Sequence, residues 1–335
     1  MKNGKSRVKG RGMRKLVFLM ALVACAAAIA APKARGGARR APKQQAAAGM
    51  KVKSDVRRTP YQGAISVDAA SGRVIFEDRA DAKCCPASVT KLMTLLLVLE
   101  DMHAMKYSTV DEVTATVRCT REKPSVCGLK PGMKITVDEL LFAMLVHSSN
   151  DAAVLLAENS TARNAGREIQ GGDLPAFVQR MNEKAQALGM AATSFVTPNG
   201  YPPPNGSGKP YDTSTARDLV KLARALVKYN EVYRWTSAKT YTMKTILNKE
   251  GQPVKFLNHN NILRMDKKKI VNAQGESEVD GLKTGYAEYC GSSIILTGKR
   301  NGHRAIVVVV GSETSKLRDE HARRLMVDAL DAVSR

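Results

Sequence analysis

Between Ser88 and Glu100 the chain reads SVTKLMTLLLVLE, which is apolar on nearly every side when wound at 3.6 residues per turn. Such a helix has no face to offer water, so it is expected at the centre of the fold, buried all round. Pro86 stands just ahead of it, where proline is tolerated in a first helical turn. Before it, residues 61–68 alternate loosely, Ala69 to Gly72 turn, and residues 73–77 extend, which reads as a hairpin. After it comes a helical middle. Thr136-Val137-Asp138-Glu139 is a capping-box pattern that opens an apolar helix. A polar break at Ser148-Ser149-Asn150 separates that helix from a second, DAAVLLAEN. Further helices are expected at 177–189 and 218–229, with a Pro/Gly-rich loop at 198–210 between them.

The last third changes period. Residues 280–286, 292–299 and 304–311 read as strands, the last two joined through Asn301-Gly302, a hairpin signal. Residues 315–333 close as an amphipathic helix. Strands at both ends with helices between them predict an α+β fold with one antiparallel sheet built from both ends of the chain. The stretch holding Trp235 and Tyr241 gives no clear pattern.

The net charge of +22 is concentrated at the start: residues 1–58 carry sixteen Lys/Arg against one acid, Asp55. Lys2 to Lys15 supply seven positive charges, and Leu16 to Ala30 is an apolar run too short for a comfortable membrane span. A charged start, a short apolar core and small residues after it predict a signal peptide over residues 1–30, hence an exported protein. Two processing sites compete: Ala28-Ile29-Ala30 is an A-x-A pattern, and Leu22 to Cys25 is similar to a lipobox, in which Cys25 would be lipidated. Residues 31–58, rich in Ala, Gly, Lys, Arg and Pro, lack apolar periodicity and are expected to form a basic tether. Its charge suits anionic wall polymer or lipid headgroups; nucleic acid would be relevant only inside the cell. The catalytic domain is expected over residues 59–335.

Outside a reducing compartment disulfides are permitted. Cys119 and Cys127 bracket a short polar loop and could staple it, while Cys290 could pair with Cys84 or Cys85. No C-x-x-C or H-E-x-x-H spacing supports zinc, so no metal is expected.

Three motifs occur in order: Ser88-Val89-Thr90-Lys91 (S-x-x-K), Ser148-Ser149-Asn150 (S-x-N) and Lys283-Thr284-Gly285 (K-T-G). S-x-x-K alone is weak, since Ser6 to Lys9 repeats it by chance. The set, its order and its placement are informative. Ser88 and Lys91, three apart on a helix, share a face. A serine hydroxyl needs a base, and a lysine serves only when neutral, which burial and a second cation such as Lys283 promote. Ser148 would relay the proton to a leaving amine, and Asn150 would hold Lys91 and the substrate amide. Lys283 would bind a carboxylate, helped by the Thr284 hydroxyl. The strand 280–286 would pair with substrate backbone, and the N–H groups of Ser88 and Tyr286 would form an oxyanion hole. The histidines offer no rival triad, because no G-x-S-x-G elbow exists; His147 abuts the S-x-N break as the last residue of its helix.

At these residues the chain resembles the low-molecular-mass penicillin-binding proteins of the D-alanyl-D-alanine carboxypeptidase type, peptidase family S11. The likeness extends through Ser71–Thr94, Leu129–Glu158, Met181–Met190, Thr197–Gly200 and Val279–Tyr286, and runs from about Tyr61 to the end. It implies the β-lactamase/transpeptidase-like (penicillin-recognising serine transferase) fold: a five-stranded antiparallel sheet with helices on both faces and a helical subdomain. It implies Ser88 as acyl-ester nucleophile, Lys91 as base, Ser148 as second serine and Lys283 as carboxylate-binding lysine; with Lys283, the residues Asn150, Thr284, Gly285 and Tyr286 are the expected substrate contacts. The implied partners are peptidoglycan stem peptides, with β-lactams as acylating inhibitors, in the periplasm or cell envelope and without a cofactor. Many members carry a β-rich second domain and a C-terminal membrane anchor. Neither follows the closing helix here, so any membrane attachment is expected through the N-terminus and Cys25. Ala287 stands where Thr is commoner, and paired cysteines before the nucleophile are unusual. Three alternatives share these residues: a D-Ala cross-link endopeptidase, a class A-like β-lactamase, for which the E-x-x-L-N-type loop is missing, and a non-catalytic wall-binding protein.

Overall fold

The computed structural model describes residues 60–335 apart from Gly171, 203–205, 265–269, 272–273 and 275–277. The expected signal peptide, the lipobox-like site at Cys25 and the expected basic tether lie outside the described residues.

Five strands form one antiparallel sheet: β1 (Gly63–Asp68), β2 (Val74–Asp78), β7 (Val279–Ala287), β8 (Gly291–Arg300) and β9 (His303–Ser312), in the order β2-β1-β9-β8-β7. The first hairpin thus joins the last three strands through β1 and β9, with Ile65 opposite Val308. Asn301 and Gly302 both take positive φ, 50° and 85°, the two-residue turn whose twist matches the strands it joins. Period-2 alternation divides the side chains between two cores. Ile294, Leu296, Val307 and Val309 face Ala322, Met326 and Leu330 of the closing helix α8 (Ser315–Val333). Ile295, Ile306, Val308 and Val310 face the opposite way, into the core shared with α1 (Lys91–His103) and α5 (Ala216–Leu226). Helices therefore cover both faces of the sheet.

The expected central helix is α1, and Leu92 to Leu99 are each at most 2% exposed. Around it stand α2 (Val137–Val146), α3 (Asn150–Asn164) and α4 (Asp173–Ala187). Helix α3 runs five residues past its apolar stretch, to Asn164. Arg180 of α4 reaches Asp101 of α1 at 2.6 Å and the Ser160 hydroxyl at 2.8 Å, tying three helices at one point.

Half of the capping box forms. The Thr136 hydroxyl accepts from the Glu139 N–H at 3.2 Å. The Glu139 carboxylate does not return to Thr136; it accepts from the N–H groups of Lys244 and Thr245 and from the Thr245 hydroxyl, stitching β5 (Thr240–Leu247) to α2. Strand β5 pairs with β6 (Pro253–Leu257), and β3 (Glu112–Thr114) with β4 (Lys134–Thr136). In the stretch without a sequence pattern, α6 (Val232–Thr236) buries Trp235, whose indole N–H donates to Asp138 at 2.9 Å, and Tyr241 stacks on Phe142. The short helix α7 (Asn261–Arg264) completes the elements.

Cys290 pairs with Cys85. Cys84 cannot serve instead, because its backbone bridges Ser214 and its thiol is buried in the main core. Cys119 and Cys127 do not staple their loop. The Cys119 thiol points to the Thr116 carbonyl, 3.2 Å away, and the Cys127 thiol to the Asp151 carboxylate. Among the described residues no helix is long and apolar enough to cross a membrane, and no cluster of His, Cys, Asp and Glu could hold a metal ion.

Because α1 is enclosed on every side, Leu96→Ala is expected to leave a cavity and lower unfolding free energy by about 2–5 kcal/mol. Urea denaturation followed by circular dichroism checks this; a loss below about 1 kcal/mol would mean that the α1 surroundings collapse around the gap.

Candidate active site

Ser88 lies not in the α-helix itself but in a single 3₁₀ turn, Ala87–Thr90, that runs into α1. Three residues per turn eclipse positions i and i+3, which sets Lys91, the first residue of α1, directly against Ser88. The Lys91 Nζ is 3.0 Å from Ser88 Oγ. It also donates to Asn150 Oδ1 at 2.7 Å and to the Asn199 carbonyl at 2.6 Å. Lys91 is 0% exposed.

Burial, and next the charge of Lys283, hold the Lys91 amine well below the usual lysine range; Asp212, Glu122 and Asp151 oppose the shift without reversing it. A neutral amine has two N–H donors and one lone pair. Asn150 Oδ1 and the Asn199 carbonyl can only accept, so they take the two hydrogens. The lone pair is left for the Ser88 hydroxyl.

Each partner of Lys91 is fixed from behind. Asn150, the first residue of α3, donates its backbone N–H to Ser125 O at 2.7 Å and its side-chain amide to Pro124 O at 2.6 Å. The loop 124–129 is held by Asp151, which accepts from the N–H groups of Cys127, Gly128 and Leu129. The loop carrying Asn199 is bolted to the nucleophile turn through buried Asp212, which accepts from Thr90, Val196 and Thr197, and to α1 through the Thr94 hydroxyl on Pro198 O. Burial pushes the Asp212 carboxyl up despite those donors.

Ser148, in the α2–α3 break, has φ 64°, a strained value for a residue with a side chain, and its position is fixed by both helices. Ser88, Ser148, Asn150, Thr284, Gly285 and Tyr286 line one cleft of about 630 Å³. Lys283 is buried in its wall, its ammonium donating to the Thr284 carbonyl at 3.0 Å; burial and the Arg318 guanidinium push it down to about 7. Gly285 has a spacing role besides lining the cleft: a Cβ there would stand 2.5 Å from Pro86 O, so only glycine lets the nucleophile turn lie against β7.

Four contributors were not legible in the sequence. Arg318 is 3% exposed, lines the cleft and is paired with Asp319. Arg264 lines the same cleft with a second guanidinium. His259 lines the cleft, and burial followed by Lys283 pushes it down to about 4, so its imidazole is neutral. The Asn199 carbonyl is a backbone group in the Pro-Asn-Gly loop, where only the loop itself could be anticipated. His147 caps α2 and packs its ring on Phe256 and against His259.

The chain matches the D-alanyl-D-alanine carboxypeptidase family, peptidase family S11, over residues 51–314. It belongs to that family. Among curated relatives it is 30% identical over 285 residues to D-alanyl-D-alanine carboxypeptidase DacF of Bacillus subtilis, covering 82% of this chain and 64% of the relative. It is 32% identical over 269 residues to DacC of Escherichia coli, covering 78% and 59%. The chain thus spans about three fifths of the length of these S11 relatives. Among solved structures, DacD of Francisella tularensis aligns with TM-score 0.67 at 25% identity, covering 80% of this chain and 70% of that one. Penicillin-binding protein D2 of Listeria monocytogenes, in its ampicillin-bound form, aligns with TM-score 0.62 at 28% identity, covering 80% and 96%. The fold is the β-lactamase/transpeptidase-like fold of these S11 enzymes.

Lys91 is expected to titrate well below an ordinary lysine, and Lys283→Met to raise its midpoint by removing the neighbouring positive charge. The Cε resonance of Lys91, followed by NMR across pH, checks both; an unmoved midpoint in the variant would show that burial alone sets it.

Proposed function

We propose that the protein is a serine-type D-alanyl-D-alanine carboxypeptidase that removes the terminal D-Ala from peptidoglycan stem peptides through an acyl-enzyme on Ser88. The observation that carries this reading is the Lys91 amine, fully buried, with two fixed acceptors for its hydrogens and its third direction on Ser88 Oγ. Ser88 Oγ attacks the carbonyl of the penultimate D-Ala as its proton passes to Lys91. The developing oxyanion lies between the N–H groups of Ser88 and Tyr286. Ser148 relays the proton to the leaving D-Ala amine, and water then hydrolyses the ester. The cationic end of the cleft, with Lys283 and Arg318 and the Thr284 hydroxyl, takes the terminal carboxylate, and β7 pairs with the peptide backbone.

A β-lactam presents the same carbonyl and carboxylate, and the Listeria relative's ampicillin-bound and cefotaxime-bound forms support β-lactams as acylating inhibitors here. Among the described residues the carboxylate lining the cleft is Glu288, exposed at its rim, so a long-lived penicilloyl ester is expected rather than turnover. Such a substrate lies in the cell envelope. Residues 1–30 would direct export there, ending either at the A-x-A site or at a lipidated Cys25.

Intact-mass measurement after brief exposure to benzylpenicillin is expected to give a stable adduct on the wild type and none on Ser88→Ala. Release of D-Ala from a D-Ala-D-Ala peptide is expected from the same preparation. An adduct lost within seconds would favour a β-lactamase. Release of D-Ala only from cross-linked peptides would favour an endopeptidase, and no adduct on folded protein a wall-binding role. The active form needs Lys91 neutral and Lys283 charged. kcat/KM on a carboxylate-terminated peptide is therefore expected to rise as Lys91 loses its proton and to fall as pH climbs through about 7, where Lys283 loses its own. A falling limb above about 9 would place Lys283 back in the ordinary lysine range.

A further inference from the structure

The cleft has two walls, and one covalent bond joins them. Ser88 lies on the turn Ala87–Thr90, while the facing wall is β7 and the turn that leads from it into β8. Cys85 stands three residues before Ser88, and Cys290 stands in the β7–β8 turn, five residues after Gly285. Their disulfide is buried, 8% and 2% exposed, in a small cluster with Ala87, Ala287 and Tyr289 that is separate from both main cores.

Between Cys85 and Ser88 the backbone is under strain. Ala87 has φ 48°, and a residue with a side chain holds such a conformation only where its surroundings over-determine it. Two of those surroundings are steric. The Ala87 carbonyl abuts Gly200, where a Cβ would stand 1.9 Å from the oxygen, and the Pro86 carbonyl abuts Gly285. The two contacts bound the turn on opposite sides, Gly285 on the β7 side and Gly200 on the side of the 199–200 loop. The backbone bridge of Cys84 to Ser214 anchors the segment on its other side, and the disulfide adds the one covalent tie between the turn and the end of β7.

We propose that the Cys85–Cys290 disulfide is a positioning element for acyl transfer: it fixes the distance between Ser88 and the substrate held on β7. The proposal rests on the reading of Ser88 as nucleophile. Substrate binding depends on β7 and the cations behind it, whereas the chemical step depends on where Ser88 stands. Breaking the bond should therefore slow acylation while leaving non-covalent binding nearly unchanged.

The test uses the full chain and a fluorescent penicillin, with stopped-flow data separating the dissociation constant of the non-covalent complex from the acylation rate constant. A phosphine reduces the bond, taking up oxygen from water as phosphine oxide and leaving two thiols, which alkylation and mass spectrometry count. The double variant Cys85→Ser, Cys290→Ser removes the bond without a reductant. Displacement of reacting groups by a fraction of an ångström predicts an acylation rate constant lower by about tenfold, with the dissociation constant changed by less than about twofold. Reoxidation of the reduced wild type should restore the rate, and the reductant should leave the double variant unaffected. An unchanged acylation rate in both the reduced protein and the variant would overturn the proposal, even if melting temperature falls, because the bond would then be stabilising only. No acylation of the oxidised wild type would instead refute Ser88 as nucleophile.

Discussion

The site depends on an amine placed where water cannot reach it. Among the described residues no carboxylate lies within hydrogen-bond distance of Lys91; its three partners are a hydroxyl, an amide oxygen and a backbone carbonyl. Burying an ammonium in such company is costly, and that cost pushes the group well below the usual lysine range. The surrounding carboxylates are spent elsewhere: Asp212 on Thr90 and the 196–197 backbone, Asp151 on the 127–129 backbone, Glu122 on Asn199. Each fixes a piece of scaffold beside the amine without neutralising its charge by direct contact.

That scaffold comes from distant parts of the chain. The 3₁₀ turn and α1 bring Ser88 and Lys91, the α2–α3 break brings Ser148 and Asn150, an irregular loop brings the Asn199 carbonyl, and β7 brings Lys283. Gly200 and Gly285 are where these pieces approach backbone to backbone, one on each side of the nucleophile turn. The two cores on either face of the sheet set these pieces in place, and the cleft opens at the join between sheet and helical region.

Much of this was legible in the sequence because it is written in side-chain chemistry and period. The strands at both ends, the buried α1, the closing helix and the three motifs follow from alternation, apolar stripes and residue type. What escaped is carried by other means. The Asn199 carbonyl belongs to a group every residue has. Arg318 is one arginine in a helix rich in them, and only tertiary packing turns it into the cleft. The β5–β6 hairpin does alternate, with Met243 and Phe256 facing inward, but over so short a stretch this gave no clear sequence pattern; its anchor is the Glu139 carboxylate, read from sequence as a cap. The disulfide was half legible: Cys290 had two candidate partners, and the Ser214 bridge that occupies Cys84 is a long-range contact. The Cys119–Cys127 pair looked apt by spacing, but their thiols address different neighbours.

The pairing of β1 with β9 has a consequence in time. These strands lie about 240 positions apart, yet each is an interior neighbour in the same sheet. A chain made from its N-terminus presents the first hairpin long before its partner exists, and contacts of such separation are slow to close. Lys283 arrives on a strand made after the helical region and before the strand that joins it to the first hairpin. The nascent molecule can therefore form its helices early, but its reactive centre is assembled late and in one step, when the last strand docks.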